Sequence, residues 1–265
     1  MPTSRQVIVD VGGVAVLLKT ADAPLGDVLE RRFGRFLNPS AHPDFQFDVT
    51  LAAAGDFDAD ADLKVTGGRG RWLVRRGDFE AEWSVAERRG SIRQTLNPYA
   101  ADSVLRIVHT LLLATEGGFL LHASSAVRDG RAFLFTGPSG AGKSTIVGLA
   151  PDGVTVLTDE ISYLRWTAEG YVAFGTPFAG ELSDAGDPSS APVAALFCLG
   201  RGAENRHDRL EAPEAVKALM RNILFFADDR DLVGNVLDTA CDFAARVPAF
   251  RLAFAPDARV WGTIQ

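Results

Sequence analysis

The sequence predicts an α/β protein in which a smaller, strand-rich α+β domain, residues 1–98, precedes a larger α/β domain, residues 99–265. Short segments of alternating polar and apolar residues dominate the first hundred residues, and Asn97-Pro98 then interrupts the chain. Beyond it, apolar strands alternate with helical segments. A hydrophobic content of 47% over 265 residues is sufficient for a packed core and is not typical of a disordered chain.

The N-terminal region begins with two strands and a helix. Residues 7–18 are apolar and are broken by Gly12-Gly13, which predicts two strands joined by a tight turn. Apolar residues recur at three- and four-residue spacing over 24–37, which predicts a helix. Five strand-like segments follow, of which the last three are typical of an antiparallel meander: 45–51, 63–66, 72–75, 79–85 and 91–96.

The C-terminal region opens with a helix after Pro98, for which Asp102 is the predicted N-cap and Gly117-Gly118 the predicted end. Buried strands at 119–127 and 132–136, joined at Asp129-Gly130, come next. The remaining predicted elements are a helix at 143–149, strands at 154–157 and 194–199, helices at 213–226 and 232–245, and strands at 250–254 and 260–264.

Composition excludes several classes of protein. A formal net charge of −7 argues against binding to nucleic acid or to anionic membranes. The longest charge-free stretch, residues 188–200, is too short to span a bilayer, and residues 1–18 lack the layout of a secretory signal, so we expect a cytoplasmic protein. The two cysteines, Cys198 and Cys241, predict core thiols rather than a disulfide or a metal site.

One motif carries chemistry that the rest of the sequence does not. It matches the G-x-x-x-x-G-K-[ST] phosphate-binding loop, with a predicted strand before it and a predicted helix after it. Its glycines let backbone amides turn toward a phosphate, its lysine supplies a positive charge, and its serine hydroxyl supplies a ligand to Mg²⁺. The sequence therefore predicts binding of a nucleoside triphosphate with Mg²⁺, through Gly137, Pro138, Ser139, Gly140, Ala141, Gly142, Lys143, Ser144 and Thr145.

Two acidic residues, Asp159 and Glu160, follow the next buried strand, 16 and 17 residues after Lys143. A strand directly after the loop's helix commonly lies near the loop's own strand, so its end can bring a carboxylate to the γ-phosphate. Asp159 could then accept a proton from an attacking hydroxyl, hold Mg²⁺, or do both, unless the pair is only a polar strand end. An Asn-Lys-x-Asp motif is absent from the sequence, which argues against a regulatory GTPase.

Three segments resemble the catalytic domain of the HPr kinase/phosphorylase family, and more closely its kinase-like relatives found beside peptide-modification genes. They are Leu121-His122-Ala123, residues 133–145 and Leu157-Thr158-Asp159-Glu160. The resemblance covers residues 119–164 well and the rest of the C-terminal half in outline. It implies that the C-terminal domain is an HPr kinase-type P-loop kinase domain.

The resemblance also implies roles for individual residues. Asp159 matches the family's general base toward a serine hydroxyl, His122 matches a histidine near the carboxylate pair, and Glu160 replaces a second aspartate. Glu181 corresponds to an acidic Mg²⁺ ligand; the alternatives are a surface position for Glu181 and a structural histidine for His122. The segment associated with the family's phosphorolysis is not recognisable here, so the reverse reaction is not expected.

The predicted function is an ATP- and Mg²⁺-dependent kinase that phosphorylates a serine hydroxyl of a small protein or peptide. A small-molecule kinase and an ATP-binding module without phosphate transfer are the alternatives, and the oligomeric state, including a homo-oligomer, stays open. Arg201 and Arg206 could reach phosphate or lie in a solvated loop. The histidines without ligand spacing are assigned no metal: His42, His109 and His207.

Overall fold

The computed structural model describes residues 4–53, 55–58, 61–68, 70–178 and 186–264. The described residues form two compact units, one from Met1–His109 and Phe226–Asp229, the other from Thr110–Phe225 and Arg230–Gln265. Each unit contains one β-sheet with helices. The prediction of a mixed α/β protein with a strand-rich N-terminal region is therefore confirmed.

The described residues of the first unit form one helix within its boundaries, the start of a second, and seven strands. These elements are β1 (Arg5–Val11), β2 (Val14–Thr20), α1 (Ala23–Phe33), β3 (Phe45–Leu51), β4 (Lys64–Gly68), β5 (Arg71–Arg76), β6 (Phe79–Ser84), β7 (Arg89–Gln94) and α2 (Pro98–Glu116), which continues into the second unit.

The first sheet has the strand order β1-β2-β3-β7-β6-β5-β4. The predicted meander is confirmed, because β5, β6 and β7 pair antiparallel, whereas β3 lies parallel to both β2 and β7. Helix α1 packs on β1 and β2 and begins where the Asp22 carboxylate accepts a hydrogen bond from the Leu25 amide at 2.8 Å. The predicted helix over 24–37 ends early, at Phe33, and a 3-10 turn at Gly34–Phe36 follows.

The described residues of the second unit form nine strands and three further helices. They are β8 (Gly118–Arg128), β9 (Arg131–Thr136), α3 (Lys143–Gly148), β10 (Thr155–Thr158), β11 (Ile161–Thr167), β12 (Gly170–Phe174), β13 (Ser190–Arg201), β14 (Arg206–Arg209), α4 (Ala212–Met220), β15 (Ile223–Leu224), α5 (Arg230–Arg246) and β16 (Ala249–Phe254).

Strand β8 organises the second sheet because its two halves have different neighbours. Its first half pairs with β11 and β15, and its second half lies between β9 and β10. Strand β9 in turn lies parallel to β13, which lies parallel to β16. The strand that bears the predicted phosphate loop is therefore central in the sheet.

The second sheet is buried on both faces. Along β9, Ala132 and Leu134 enter a core that contains residues of α4 and α5, whereas Phe133 and Phe135 enter a core that contains residues of α3 and the C-terminal segment. A strand covered on both faces reads as a continuous apolar run, and the sequence of β9 does so. The layered α/β arrangement therefore follows from side chains that alternate between two cores.

The predicted cap of α2 is wrong. The helix begins at Pro98, and the Tyr99 amide donates to Asn97 Oδ1 at 3.0 Å. Asp102 lies inside the helix, is buried, and forms ion pairs with Arg32 of α1 and with Arg106, the latter at 2.7 Å. An aspartate near a predicted helix start can thus serve a buried ion pair instead of the helix terminus.

Other predictions also need correction in the C-terminal half. Residues 260–264 do not form a strand, because Ala258–Gly262 is a 3-10 helix. The helix predicted over 213–226 ends at Met220, and the short strand β15 follows. Cys241 is not a core thiol but is exposed on α5, whereas Cys198 packs against the core. Among the described residues, no helix combines the length and apolar character that crossing a membrane would require.

Candidate nucleotide-binding site

The glycine-rich loop connects the central strand β9 to helix α3. Gly142, which directly precedes α3, has a φ of +100°, a conformation that side chains with a Cβ rarely adopt. A Cβ placed on Gly142 would lie 2.7 Å from the ring of Phe254 in β16, and one on Gly137 would lie 2.9 Å from Ala141 Cβ. Glycine is therefore required at these two positions both by backbone conformation and by space.

Lys143 lies over this loop rather than in open solvent. Its side-chain amine donates to the backbone oxygen of Gly137 at 3.0 Å and to that of Pro138 at 3.3 Å. The residue is only 8% exposed. A positive charge is thus concentrated where the loop curves, which suits the binding of an anionic phosphate.

Two side chains from distant parts of the chain bind the backbone of α3. The Ser124 hydroxyl of β8 donates to the Lys143 carbonyl at 2.9 Å, and the Trp261 indole donates to the Ile146 carbonyl at 2.9 Å. Both side chains are buried. Because α3 has only six residues, these bonds supply part of the order that a longer helix would obtain from its own ladder.

The carboxylates lie in the tight turn between β10 and β11. Asp159 is 4% exposed, and Glu160 is partly exposed. The Thr158 hydroxyl oxygen accepts hydrogen bonds from the amides of Glu160 and Ile161, both at 3.3 Å. The side chain of Thr158, directly before the carboxylate pair, therefore stabilises the turn.

Sheet topology explains why this turn meets the glycine-rich loop. Strands β9 and β10 are both antiparallel to β8, so they run in the same direction and end at the same edge of the sheet. His122 lies at that edge too, in β8, where it pairs with Ile161 of β11; its backbone oxygen accepts from the Thr136 hydroxyl at 3.0 Å. Loop, carboxylates and histidine are thus brought together by the register of three strands.

These residues line one cleft of about 230 Å³. The cleft contains the lysine and serine of the motif, both carboxylates and the histidine. Its lining residues are His122, Ser139, Gly140, Gly142, Lys143, Ser144, Thr145, Asp159 and Glu160. The remaining motif residues, Gly137, Pro138 and Ala141, shape the loop behind this surface.

The oxygen donors of the cleft suit Mg²⁺. The Ser144 hydroxyl and the carboxylates of Asp159 and Glu160 are hard oxygen ligands, which this cation prefers. Among the described residues, no group of three His, Cys, Asp or Glu side chains forms a closed metal site. Mg²⁺ usually binds through one or two carboxylates together with substrate phosphates, so the donor set fits a metal that arrives with a nucleotide.

Other candidate residues lie elsewhere. Arg201 and Arg206 do not line the cleft; both are exposed, and Arg206 pairs with Asp208 at 3.0 Å. Glu181 lies outside the described residues, so its predicted role as a metal ligand stays a prediction.

The remaining histidines and Cys198 do not line this cleft either. His109 is fully buried in α2, and burial lowers the pKa of its imidazole to about 4. His42 is exposed, and the ring of His207 contacts Phe197 and Phe250. Burial raises the pKa of the Cys198 thiol to about 11, which argues against a nucleophilic thiolate at this position.

A larger cavity, of about 440 Å³, lies across strands β4 to β7 of the first sheet. Its lining mixes Arg71 and Arg89 with Glu82 and Glu87, and it contains none of the motif residues. Arg71 and Glu87 are already paired with each other at 2.8 Å. The smaller cleft at the glycine-rich loop is therefore the better candidate for phosphate chemistry.

The sequence predicts no role for Ser124, Thr158, Thr176 or Trp261, although each contacts the backbone that shapes the site or its turn. No local pattern distinguishes these residues from ordinary buried side chains, because their partners are distant in sequence.

The fold and the cleft define a mixed α/β protein with a glycine-rich phosphate-loop motif at a sheet edge. The family described as SynChlorMet cassette protein ScmC matches residues 94–265, and the chain belongs to this family. The description of a cassette protein fits the expectation of a gene-cluster-associated protein. No curated protein matches the chain.

Proposed function

We propose that this protein is an ATP- and Mg²⁺-dependent kinase of the HPr kinase-like type, which transfers the γ-phosphate to a serine hydroxyl of a small protein or peptide. The observation that carries the proposal is the cleft shared by Lys143 and Asp159. A phosphate-binding lysine and a carboxylate at one sheet edge are the two groups that phosphoryl transfer to a hydroxyl requires.

The loop and Lys143 would bind the donor. The loop amides and the amine of Lys143 would bind the β- and γ-phosphates, replacing the bonds that Lys143 now makes to Gly137 and Pro138. Ser144, Asp159 and Glu160 would hold Mg²⁺, which neutralises charge on the phosphates when bound. The six-residue α3 contributes mainly through these side chains and amides.

Asp159 would act on the acceptor. As the serine oxygen bonds to the γ-phosphorus and the bond to the β–γ bridging oxygen breaks, the carboxylate of Asp159 takes the hydroxyl proton. His122 lines the same cleft beside the carboxylate pair.

A small-molecule kinase would use the same loop and carboxylate, and a module that only binds ATP would need the loop alone. The lining residues of the cleft do not distinguish a peptide hydroxyl from a metabolite hydroxyl as the phosphate acceptor. The resemblance to kinases found beside peptide-modification genes, together with membership of a cassette family, favours the peptide.

The proposal is tested by the substitution Asp159→Asn. Removal of the proton acceptor should lower transfer of labelled γ-phosphate by about 10²–10⁴-fold, the usual contribution of general-base catalysis. Transfer is measured to a panel of serine peptides and hydroxyl metabolites, and ADP release is followed in parallel. Asp152→Asn, an exposed aspartate in the turn before β10, is the matched control and should retain activity.

A Mg²⁺ titration separates the two roles of Asp159. If the carboxylate is chiefly a metal ligand, excess Mg²⁺ should partly rescue Asp159→Asn; if it is chiefly a base, added metal should have no effect. Phosphorylation of metabolites only would favour the small-molecule kinase. ATP binding without ADP release in the wild type would favour the binding module, and unchanged transfer in Asp159→Asn would reject both roles of Asp159.

A further inference from the structure

The turn that carries Asp159 and Glu160 rests on two buried hydroxyl groups. Thr158 ends β10 and is 1% exposed; Thr176 lies two residues after β12 and is completely buried. Their side-chain oxygens lie 3.3 Å apart. Water cannot readily replace either hydroxyl at this depth, so the polar groups around them depend on these side chains.

The hydroxyl pair binds backbone groups within and directly after the carboxylate pair. Thr158 Oγ1 accepts from the amides of Glu160 and Ile161, and Thr176 Oγ1 donates to the Ile161 carbonyl at 2.8 Å. Ile161 is also the residue of β11 that pairs with His122 of β8. The pair therefore connects the orientation of the turn to the strand that carries the cleft histidine.

We propose that Thr158 and Thr176 are positioning residues that set the orientation of the Asp159 carboxylate toward the glycine-rich loop. The inference rests on the proposed function, in which Asp159 acts on the acceptor hydroxyl. Neither threonine is among the residues that line the cleft. Their substitution should therefore act through Asp159 and Glu160: the rate of transfer should fall strongly, and the affinity for ATP with Mg²⁺ should fall less, because Lys143 and the loop amides would still bind the phosphates.

The size of the effect follows from the geometry of proton transfer. A displacement of about 1 Å in a catalytic group can lower a rate by about 10²-fold. In Thr158→Val, a methyl group replaces the hydroxyl at nearly constant volume, and the amides of Glu160 and Ile161 lose their acceptor. Thr158→Ser retains the oxygen and is the matched control.

The experiment compares wild type, Thr158→Val, Thr158→Ser and Asp159→Asn in the full chain. We measure kcat for ADP release, the Kd for ATP with Mg²⁺ by calorimetry, and amide hydrogen exchange at residues 160 and 161. Thr158→Val should lower kcat by about 10²-fold, raise the Kd for ATP with Mg²⁺ by a smaller factor, and speed exchange at both amides. Thr158→Ser should restore all three values.

Three results would overturn the inference. They are a wild-type kcat in Thr158→Val, an equal loss in Thr158→Ser and Thr158→Val, and unprotected amides at 160 and 161 in the wild type. The exchange measurement on the wild type needs no variant, so the inference stays testable even if Thr158→Val does not fold. The companion pair Thr176→Val and Thr176→Ser provides a second, independent comparison. Absence of ADP release and transfer in the wild type would instead refute the proposed kinase.

Discussion

At the scale of single residues, the shape of the glycine-rich loop depends on positions where a side chain would not fit. Gly142 combines a positive φ with the ring of Phe254 in the space that a side chain would need, whereas Gly148, at the end of α3, has open space around its Cβ position. The two glycines lie at opposite ends of α3 but differ in the space around their Cβ positions. Only the first belongs to the shape of the site.

Gly142→Ala should lower the free energy of unfolding by about 1–3 kcal/mol, since overpacking and a strained φ both oppose the folded loop. It should also weaken ATP binding because the loop amides would move. Gly148→Ala is the matched control and should leave stability equal or higher, because alanine favours the helix. Urea unfolding and calorimetry measure both effects; equal behaviour of the two variants would contradict the assigned role of Gly142.

The motif residues could be predicted from sequence because the loop's chemistry is local. Nine consecutive residues contain the glycines, the lysine and the hydroxyls that the loop requires. Asp159 could also be predicted, from its distance from Lys143 and its place after an apolar strand. Thr176 could not be predicted, because its contact with Ile161 depends on the antiparallel pairing of β11 and β12.

At the scale of elements, α3 depends on its neighbours. Its carbonyls at Lys143 and Ile146 accept hydrogen bonds from β8 and from the C-terminal 3-10 helix. Trp261 also packs edge-on against Phe135 of β9, with ring centroids 5.6 Å apart. The end of the chain thus contributes to the position of the helix that carries Lys143 and Ser144.

Trp261→Phe removes the indole donor and retains an aromatic ring against Phe135. The Ile146 carbonyl is then left without this partner, which should lower stability by about 1–3 kcal/mol and weaken ATP binding. Trp166→Phe, at a tryptophan that is 41% exposed on β11, is the control and should have a smaller effect on both. Thermal unfolding and calorimetry provide the readouts. An unchanged ATP affinity in Trp261→Phe would argue that α3 keeps its position without the bond.

Elements with clear periodicity were predicted, and elements defined by tertiary contacts were not. The hairpin of β8 and β9 follows from two apolar runs and Asp129-Gly130, whose φ values of +51° and +73° form the turn. Strands β11 and β12 are not predicted from sequence, because Ser162, Arg165 and Thr167 interrupt the apolar pattern of β11 and β12 has only five residues. The apolar residues of 260–264 were read as a strand, although they cover α3 from a 3-10 helix.

At the scale of the whole molecule, the features of the candidate site lie in one sheet. The described cleft residues all belong to the second unit, and all lie within the part of the chain that the ScmC family matches. The change near residue 97 from short alternating segments to apolar strands and helices is visible in the sequence itself. The assignment of Phe226–Asp229 to the first unit could not, because a four-residue segment carries no pattern that identifies its neighbours.

The central claim is that the glycine-rich loop binds ATP with Mg²⁺ through Lys143. Titration calorimetry of the full chain with ATP, in the presence and absence of Mg²⁺, tests it most directly, with Lys143→Ala and the exposed-surface control Lys64→Ala measured alongside. We predict one Mg²⁺-dependent site in the wild type and in Lys64→Ala, and loss of most of the affinity in a folded Lys143→Ala, because a charged phosphate contact is removed. Wild-type affinity in Lys143→Ala, or no binding by the wild type, would contradict the account.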